Sequence, residues 1–147
     1  MKKITVIAAL AMISISAPSF AQNVAKGEAE FKKCKACHAI IADDGTEIQK
    51  GGKVGPNLYG VVGRPVASYP DFKYGEGILA AGAAGVIWDE AELTAYVVDP
   101  GAWVKEKSGD PKAKSKMAFK LAKGGADVAA YLASVKPADA APAAPAP

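Results

Sequence analysis

The sequence predicts an all-α fold built from helices and loops. Three stretches place apolar residues at helical spacing, and they begin near Val24, Asp89 and Asp127. Runs of alternating apolar and polar residues, which are typical of strands, are nearly absent. Segments rich in glycine and proline separate the helical stretches, and such segments neither continue a helix nor form a long strand. We therefore expect at least three helices and no sheet.

The first predicted helix covers residues 24–33. Ala25, Ala29 and Phe31 are expected to share its buried face, with charged side chains outside. The helix leads directly into a motif of two cysteines and a histidine, so it is expected to position that motif.

The second predicted helix has a defined start and end. Asp89 and Glu92 have the spacing of the N-cap and N3 residues of a capping box. Asp99 and Pro100 are expected to end the helix, because proline cannot continue it. The last helix is predicted to begin near Asp127, after two glycines, and to present one apolar face.

The two ends of the chain are predicted to lie outside the folded domain. Residues 1–21 are expected to be a cleaved signal peptide for export to the periplasm. In that segment Lys2 and Lys3 precede an apolar run that is too short to span a membrane. Residues 137–147 contain only Ala, Pro and one Asp, a composition typical of a disordered tail. Residues 22–136 would then form one small domain.

Charge is distributed unevenly along the chain. The formal net charge is +3, and loss of Lys2 and Lys3 would leave 16 basic and 15 acidic residues. Seven lysines fall within residues 105–123, whereas residues 89–99 contain four acids and no base. This pattern predicts a dipolar molecule and gives no indication of nucleic-acid binding.

The most informative motif is Cys34-Lys35-Ala36-Cys37-His38, the CxxCH spacing at which a c-type haem is attached. Each thiol can add to one haem vinyl group, and the histidine can supply an imidazole nitrogen to the iron. The chain has no other cysteine or histidine. Cys and His therefore cannot supply the four ligands of a structural zinc or an iron–sulfur cluster. A redox dithiol is typical of a βαβ unit, which the sequence does not predict.

Met117 is the predicted sixth ligand of the haem iron. His38 can serve only once, and removal of the signal peptide would take away Met1 and Met12, leaving Met117 as the only methionine. A thioether is a soft ligand that favours ferrous iron and raises the reduction potential. A lone methionine often only fills a core, but Met117 lies in a lysine-rich stretch that is a poor place for core filling.

Residues 55–64, GPNLYGVVGR, are expected to pack against the haem. Glycine and proline interrupt this stretch too often for a helix or a long strand. It also contains too many apolar residues for a solvated loop. A flat apolar partner such as a haem would account for both properties.

Together these motifs resemble the class I cytochromes c, in particular the bacterial cytochrome c2 and c-550 group. The resemblance covers residues 24–135 and keeps the order of CKACH, GPNLYGVVGR, FKYGEG, a tryptophan before an acidic helix, SKMAFK and an Ala-rich last helix. It implies a cytochrome c fold, with helices and loops wrapped around one covalently attached haem. It also implies a soluble, monomeric carrier of single electrons.

The resemblance implies roles for five residues around the haem. The carbonyl of Pro56 would accept a hydrogen bond from the ring of the axial histidine. Arg64, Tyr74 and Trp88 would hydrogen-bond the haem propionates. The hydroxyl of Tyr96 would lie near the methionine sulfur.

The resemblance also implies how the first and last helices meet. Gly27, Phe31 and Tyr131 would form their crossing, where only glycine permits a close approach.

The partners implied by the resemblance are membrane-bound electron-transfer complexes. The donor would be a cytochrome bc1-type complex and the acceptor a photosynthetic reaction centre or a cytochrome oxidase, between which the sequence does not choose. Docking is expected to use lysines that flank the CxxCH motif and Met117. These are Lys32, Lys33, Lys35, Lys112, Lys114, Lys116 and Lys120.

Two alternatives belong to other classes of protein. One is a haem c enzyme or gas sensor with an open sixth iron position. Met117 argues against it, as does a CxxCH motif near the start of the domain. The other is a haem-free binding module with a CxxC disulfide, which would leave His38 and Met117 without a role.

Overall fold

The structure, a computed structural model, describes residues 23–137. The predicted signal peptide and all but the first residue of the predicted tail lie outside the described residues. In chain order the elements are α1 (Val24–Phe31), β1 (Ile40–Ile41), β2 (Glu47–Gln49), α2 (Glu76–Ala83), α3 (Glu90–Val98), α4 (Pro100–Ser108) and α5 (Gly125–Ser134). Within residues 23–137, no helix is both long enough and apolar enough to cross a membrane.

The predicted all-α fold is confirmed, with one small correction. Strands β1 and β2 form a two-stranded antiparallel sheet, in which Ile40 lies opposite Gln49 and Ile41 opposite Glu47. The side chain of Ile40 is fully buried. Strands of two and three residues are too short to show the alternation by which a strand is recognised in a sequence.

Helices α1 and α5 cross in close contact, as the family resemblance implied. A Cβ atom added to Gly27 would lie 1.9 Å from the carbonyl oxygen of Asp127, so any larger residue would push the helices apart. The rings of Phe31 and Tyr131 pack at the same crossing, with centroids 5.8 Å apart. The predicted crossing residues are therefore confirmed.

The predicted buried face of α1 was wrong in part. Gly27 and Phe31 are buried, whereas Ala25 and Ala29 are exposed. Residues four positions apart share a helix face, so Gly27 pairs with Phe31 and Ala25 pairs with Ala29 on another side. The residue without a side chain marks the contact face, because α5 approaches the α1 backbone there.

Two further helices, α2 and α4, were not predicted. The buried residues of α2 are Gly77 and Ala81, which are too small to give an apolar stripe. Asp99 and Pro100 end α3 as expected but also begin α4. The Asp99 carboxylate accepts a hydrogen bond from Ala102 N–H at 3.0 Å, and proline occupies the first turn.

The start of α3 confirms only half of the predicted capping box. The Asp89 carboxylate accepts a hydrogen bond from Glu92 N–H at 2.7 Å, so Asp89 is the N-cap. The Glu92 side chain is engaged elsewhere. Its two carboxylate oxygens accept hydrogen bonds from Trp103 Nε1 at 2.7 Å and Lys107 Nζ at 2.6 Å. Tertiary partners have replaced the local one.

Candidate haem-attachment site

The CxxCH motif continues from α1 as a further turn of backbone. Cys34 N–H donates to Phe31 O at 2.8 Å, and the N–H groups of Cys37 and His38 donate to Cys34 O at 3.1 and 2.9 Å. The turn thus presents both sulfurs and the imidazole from one short stretch. Both cysteines are free thiols, Cys37 exposed and Cys34 half-buried. Burial raises the pKa of the Cys34 thiol to about 11, so the thiol is protonated at neutral pH.

The His38 ring is fixed by a hydrogen bond to backbone. His38 Nδ1 donates to Pro56 O at 2.8 Å, as the resemblance implied. Protonation at Nδ1 leaves the lone pair on Nε2, the nitrogen that is then available to a metal. Burial lowers the pKa of His38, although the Pro56 contact partly opposes the shift. The imidazole is therefore neutral at pH 7, as a ligand requires.

Gly55 lies directly against the imidazole. A Cβ added there would lie 2.2 Å from His38 Cε1 and 2.6 Å from Nδ1. At Gly51, an added Cβ would lie 1.9 Å from His38 O. The loop before Pro56 therefore follows the motif so closely that side chains at these positions would displace the histidine.

Asn57 ties the next part of the loop to β1, a contact that the sequence did not predict. Its side chain accepts from Ile41 N–H at 3.0 Å and donates to Ile41 O at 2.7 Å. It also accepts from Tyr59 N–H at 3.1 Å. The only signal for this role was the position of the asparagine directly after Gly-Pro.

Arg64 and Tyr74 lie in one polar cluster. The Arg64 guanidinium donates to Tyr59 O at 3.3 Å and Asn57 O at 3.1 Å, and it stacks over Tyr69 at 5.1 Å. The Tyr74 hydroxyl accepts from Tyr69 N–H at 3.2 Å. Burial lowers the pKa of Arg64 and raises the pKa of Tyr74. A guanidinium stays protonated in proteins, and the raised pKa of Tyr74 keeps its hydroxyl protonated at neutral pH.

Trp88 is held beside Arg64 by paired backbone. Trp88 N–H donates to Arg64 O at 2.9 Å, and Gly63 N–H donates to Trp88 O at 2.7 Å. The Trp88 indole is buried and stacks on Trp103, with centroids 4.9 Å apart and an interplanar angle of 20°. Three of the residues expected around the haem, Arg64, Tyr74 and Trp88, thus belong to one connected region.

Tyr96 lies beside the segment that carries Met117. Its hydroxyl is 3.3 Å from Ser115 Oγ, which accepts a hydrogen bond from Met117 N–H at 3.1 Å. Burial raises the pKa of Tyr96, so its hydroxyl stays protonated at neutral pH. Met117 itself is half-buried. Ser115 links the two predicted site residues, and the sequence did not identify it.

The predicted docking lysines differ in their surroundings. Lys33 pairs with Glu30 at 2.5 Å, and Lys120 pairs with Asp99 at 2.7 Å. Lys116 Nζ donates to a backbone carbonyl at 3.1 Å. Lys35 is half-buried. The remaining three lysines of the set are exposed, and none of them forms an ion pair within residues 23–137; they are Lys32, Lys112 and Lys114.

These residues fit a covalently attached haem c. Two free thiols stand at the right spacing, and a neutral histidine has its Nε2 available beside them. Gly55 leaves no room for a side chain against the imidazole ring, so the ring orientation is set by the fold. Met117 would add a thioether, and a donor set of imidazole and thioether suits haem iron.

Comparison with known proteins identifies the family. A scan against protein-family models gave no match. The chain is 63% identical over 128 residues to cytochrome c2 of Rhodobacter capsulatus, covering 87% of this chain and 93% of that protein. It is 55% identical over 148 residues to cytochrome c-550 of Paracoccus versutus, covering 98% of this chain and 96% of the relative.

Solved structures give the same result. The structure of Rhodobacter capsulatus cytochrome c2 matches with a TM-score of 0.75 and 66% identity, covering 77% of this chain and 97% of that one. Ferric cytochrome c-550 from Paracoccus versutus matches with a TM-score of 0.76 and 58% identity, covering 78% and 98%. The chain therefore belongs to the class I c-type cytochromes of the cytochrome c2 and c-550 group, and it is an electron carrier with one covalently attached haem c, not an enzyme.

Proposed function

We propose that the protein is a soluble single-electron carrier whose haem is attached through Cys34 and Cys37 and ligated by His38 and Met117. The observation that carries this proposal is the 2.8 Å hydrogen bond from His38 Nδ1 to Pro56 O. It leaves Nε2 available to hold the iron and restrains the ring, and a partner of this kind would raise the basicity of a histidine ligand.

The axial ligands determine what the site can do. If His38 and Met117 both hold the iron, no iron position would remain open, which would favour electron transfer through the haem edge over chemistry on a bound substrate. The bound haem supplies the one-electron redox chemistry, and the protein sets its potential. A thioether ligand favours the reduced state, so the potential is expected to be positive.

Arg64, Tyr74 and Trp88 are proposed to bind the haem propionates. A guanidinium has five N–H donors, and the contacts of Arg64 with Asn57 O and Tyr59 O leave others for an anion. The hydroxyl of Tyr74 is protonated at neutral pH and can donate as well. Arg64 would offset the negative charge that the propionates bring into a partly buried site.

Tyr96 is proposed to lie next to the sulfur of Met117. Its hydroxyl contacts Ser115 Oγ, two residues before Met117 in the chain. Because the hydroxyl stays protonated, it can donate a hydrogen bond towards the thioether side of the haem. Such a bond would hold the methionine in one orientation.

The proposed partners are membrane-bound complexes, with a bc1-type complex as donor and a reaction centre or cytochrome oxidase as acceptor. Docking would use the lysines beside the two axial ligands, and small electron-transfer interfaces depend more on steering than on packing. The carrier would act as a monomer in the periplasm, after cleavage of residues 1–21. The mature protein would then begin at Gln22.

Mass spectrometry of the exported protein tests the attachment. The haem should stay with the polypeptide in acidified organic solvent, because thioether bonds survive denaturation. The measured mass should equal a chain that begins at Gln22 plus one haem. Haem that is extracted, or a mass equal to the bare chain, would contradict covalent attachment through Cys34 and Cys37.

A further inference from the structure

The Glu92 carboxylate joins two helices. It belongs to α3, and both of its partners, Trp103 and Lys107, belong to α4. One oxygen accepts from Trp103 Nε1 at 2.7 Å and the other from Lys107 Nζ at 2.6 Å. The side chains of Glu92 and Lys107 are each only 24% exposed. Partial burial makes these bonds stronger than those of a fully hydrated ion pair.

Trp103 is the residue that Glu92 fixes. Its indole is 3% exposed and stacks on the Trp88 ring. Tyr96 packs edge-on against both indoles, with centroids 5.1 Å from each. A stacked ring can still slide or rotate in its plane, and the bond from Nε1 to Glu92 removes that freedom.

Two routes lead from this cluster to the axial methionine. On the first route, the Tyr96 hydroxyl lies within hydrogen-bond distance of Ser115 Oγ, which accepts a hydrogen bond from Met117 N–H. On the second, Val104, the neighbour of Trp103 in α4, packs against Gly77 of α2. A Cβ added to Gly77 would lie 2.7 Å from Lys114 O. Residues 114–117 are thus supported by the aromatic cluster and by the helix packed on α4.

We propose that Glu92 is a positioning residue for Met117, acting through the hydrogen bond that it accepts from the Trp103 indole. The inference rests on the proposed ligation of the iron by Met117. With Glu92 in place, the three rings have one arrangement, and Ser115 and Met117 are supported in one position. Without this acceptor, the buried indole N–H has to find another partner, which moves the ring and loosens the methionine.

The test uses the ferric holoprotein and imidazole as an added ligand. Imidazole can bind only when Met117 leaves the iron, so its apparent affinity reports how often the methionine is released. Loss of the far-red sulfur-to-iron absorption band follows the same event. Glu92→Leu removes the acceptor, and we expect the apparent affinity to rise roughly tenfold, the factor that corresponds to 1.4 kcal/mol.

Matched variants separate the indole contact from the ion pair. Glu92→Gln keeps an oxygen that can accept from Trp103 and loses only the charge beside Lys107, so its affinity for imidazole should stay within about threefold of wild type. Glu106→Gln removes the other carboxylate near Lys107, whose Oε1 lies 3.5 Å from Lys107 Nζ. This change should leave the affinity for imidazole unaltered. An equal rise in Glu92→Gln and Glu92→Leu would overturn the role of the indole bond.

A double-mutant cycle tests whether Glu92 acts through Trp103. Trp103→Phe keeps an aromatic ring and removes the N–H donor, so it should itself raise the affinity for imidazole. In that background, Glu92→Leu should add little, because the bond it would break is already absent. Full additivity of the two changes would contradict the proposal. If Glu92→Leu gives no folded holoprotein, Trp103→Phe alone decides, and wild-type affinity in that variant overturns the inference.

The wild-type spectrum keeps this inference separate from the proposed ligation. A wild-type protein without the far-red band would contradict ligation by Met117 and, with it, the positioning role. A wild-type band together with wild-type imidazole affinity in Glu92→Leu would contradict only the positioning role. In that case a lower denaturation midpoint would identify Glu92 as a residue of overall stability alone.

Discussion

The two axial sides of the proposed haem site are held by different kinds of contact. On the His38 side, backbone atoms dominate. Pro56 O accepts from the imidazole at 2.8 Å, Gly55 N–H donates to Cys37 O at 2.8 Å, and the loop follows the motif without room for a Cβ. Atoms of this kind cannot change rotamer, so the histidine side is rigid.

On the Met117 side, side chains dominate. Met117 N–H is held by Ser115 Oγ at 3.1 Å, and Lys120 pairs with Asp99 at 2.7 Å near the surface. One backbone bond, from Leu121 N–H to a carbonyl of α3 at 2.7 Å, closes the segment. Each side-chain bond has a modest net energy and can exchange with water.

The difference indicates which ligand is released first. Regions with few backbone bonds and solvent-accessible contacts open at lower free energy than the rest of a fold. We therefore expect the Met117 side to open while the His38 side stays closed. The reduction potential of the carrier would then depend mainly on how firmly the Met117 side is held.

The largest effect is expected from Gly55→Ala, which adds a methyl group on the His38 side. The added Cβ would overlap the imidazole at 2.2 Å from Cε1, so the ring or the loop would have to shift. The free energy of unfolding of the holoprotein should fall by about 3 kcal/mol or more, at the upper end for overpacking. Denaturant titration followed by haem absorbance measures this.

Gly101→Ala is the control for that substitution. A Cβ at Gly101 in α4 would lie 3.5 Å from the nearest atom, an ordinary contact. Alanine is also the better helix former, so stability should be equal or slightly higher. Equal losses at Gly55 and Gly101 would show that the histidine side is not held as tightly as its geometry indicates.

A smaller effect is expected from Ser115→Ala, which removes a contact on the Met117 side. The change removes the partner of both Met117 N–H and the Tyr96 hydroxyl. The free energy that favours bound over released Met117 should fall by about 1 kcal/mol. This corresponds to roughly fivefold tighter binding of imidazole to the ferric protein. Ser134→Ala, which removes one hydroxyl bond at the end of α5, should leave imidazole binding unchanged. Equal affinities for imidazole in the two variants would show that Ser115 does not help to hold Met117.

The lysines give a third comparison between the sides. Lys112 and Lys114 are exposed beside Met117, and neither forms an ion pair within residues 23–137. Replacing both with Glu should slow association with an acidic membrane partner severalfold and leave the potential nearly unchanged. The effect should fade above an ionic strength of roughly 0.1 M, where the Debye length is about 10 Å. Lys26→Glu, in α1, should have a much weaker effect; equal slowing would place docking on another face.

The smallest effect is expected from Asp99→Asn. Asparagine keeps the cap on α4 and loses the ion pair with Lys120, whose hydrogen bond lowers the pKa of Asp99. A carboxyl with a lowered folded-state pKa stabilises the protein above its unfolded pKa of about 3.9, and this is lost as pH falls through the folded value. Thermal midpoints of the variant and wild type should differ slightly at pH 7 and converge in acid. A constant difference would assign the effect to the cap.

The parts of the molecule that could be predicted from the sequence depend on local signals. The CxxCH motif, Met117 in its lysine-rich stretch and the start of α3 are each defined within a few residues. Helix α2 could not be predicted, because its buried residues are Gly77 and Ala81. Asp99 gave a clear end to α3, but the same residue begins α4 and so hid that helix.

Contacts between distant residues were beyond local patterns. Glu92 has the spacing of a capping-box residue, but Trp103, eleven positions away, binds its carboxylate instead. A capping box was predicted because both candidate partners lie in one turn, whereas the actual partner depends on how α4 packs on α3. The fit of Gly55 against the imidazole is likewise a property of the folded loop.

The central claim is that Met117 ligates the iron opposite His38, and the spectrum of Met117→Leu beside wild type tests it most directly. The ferric wild type should show the far-red sulfur-to-iron band and resist azide, and the ferrous wild type should resist carbon monoxide. The variant should lose the band, have a lower potential, bind azide when ferric and bind carbon monoxide when ferrous. A wild type without the band, or one that binds carbon monoxide and azide as readily as Met117→Leu, would contradict the account.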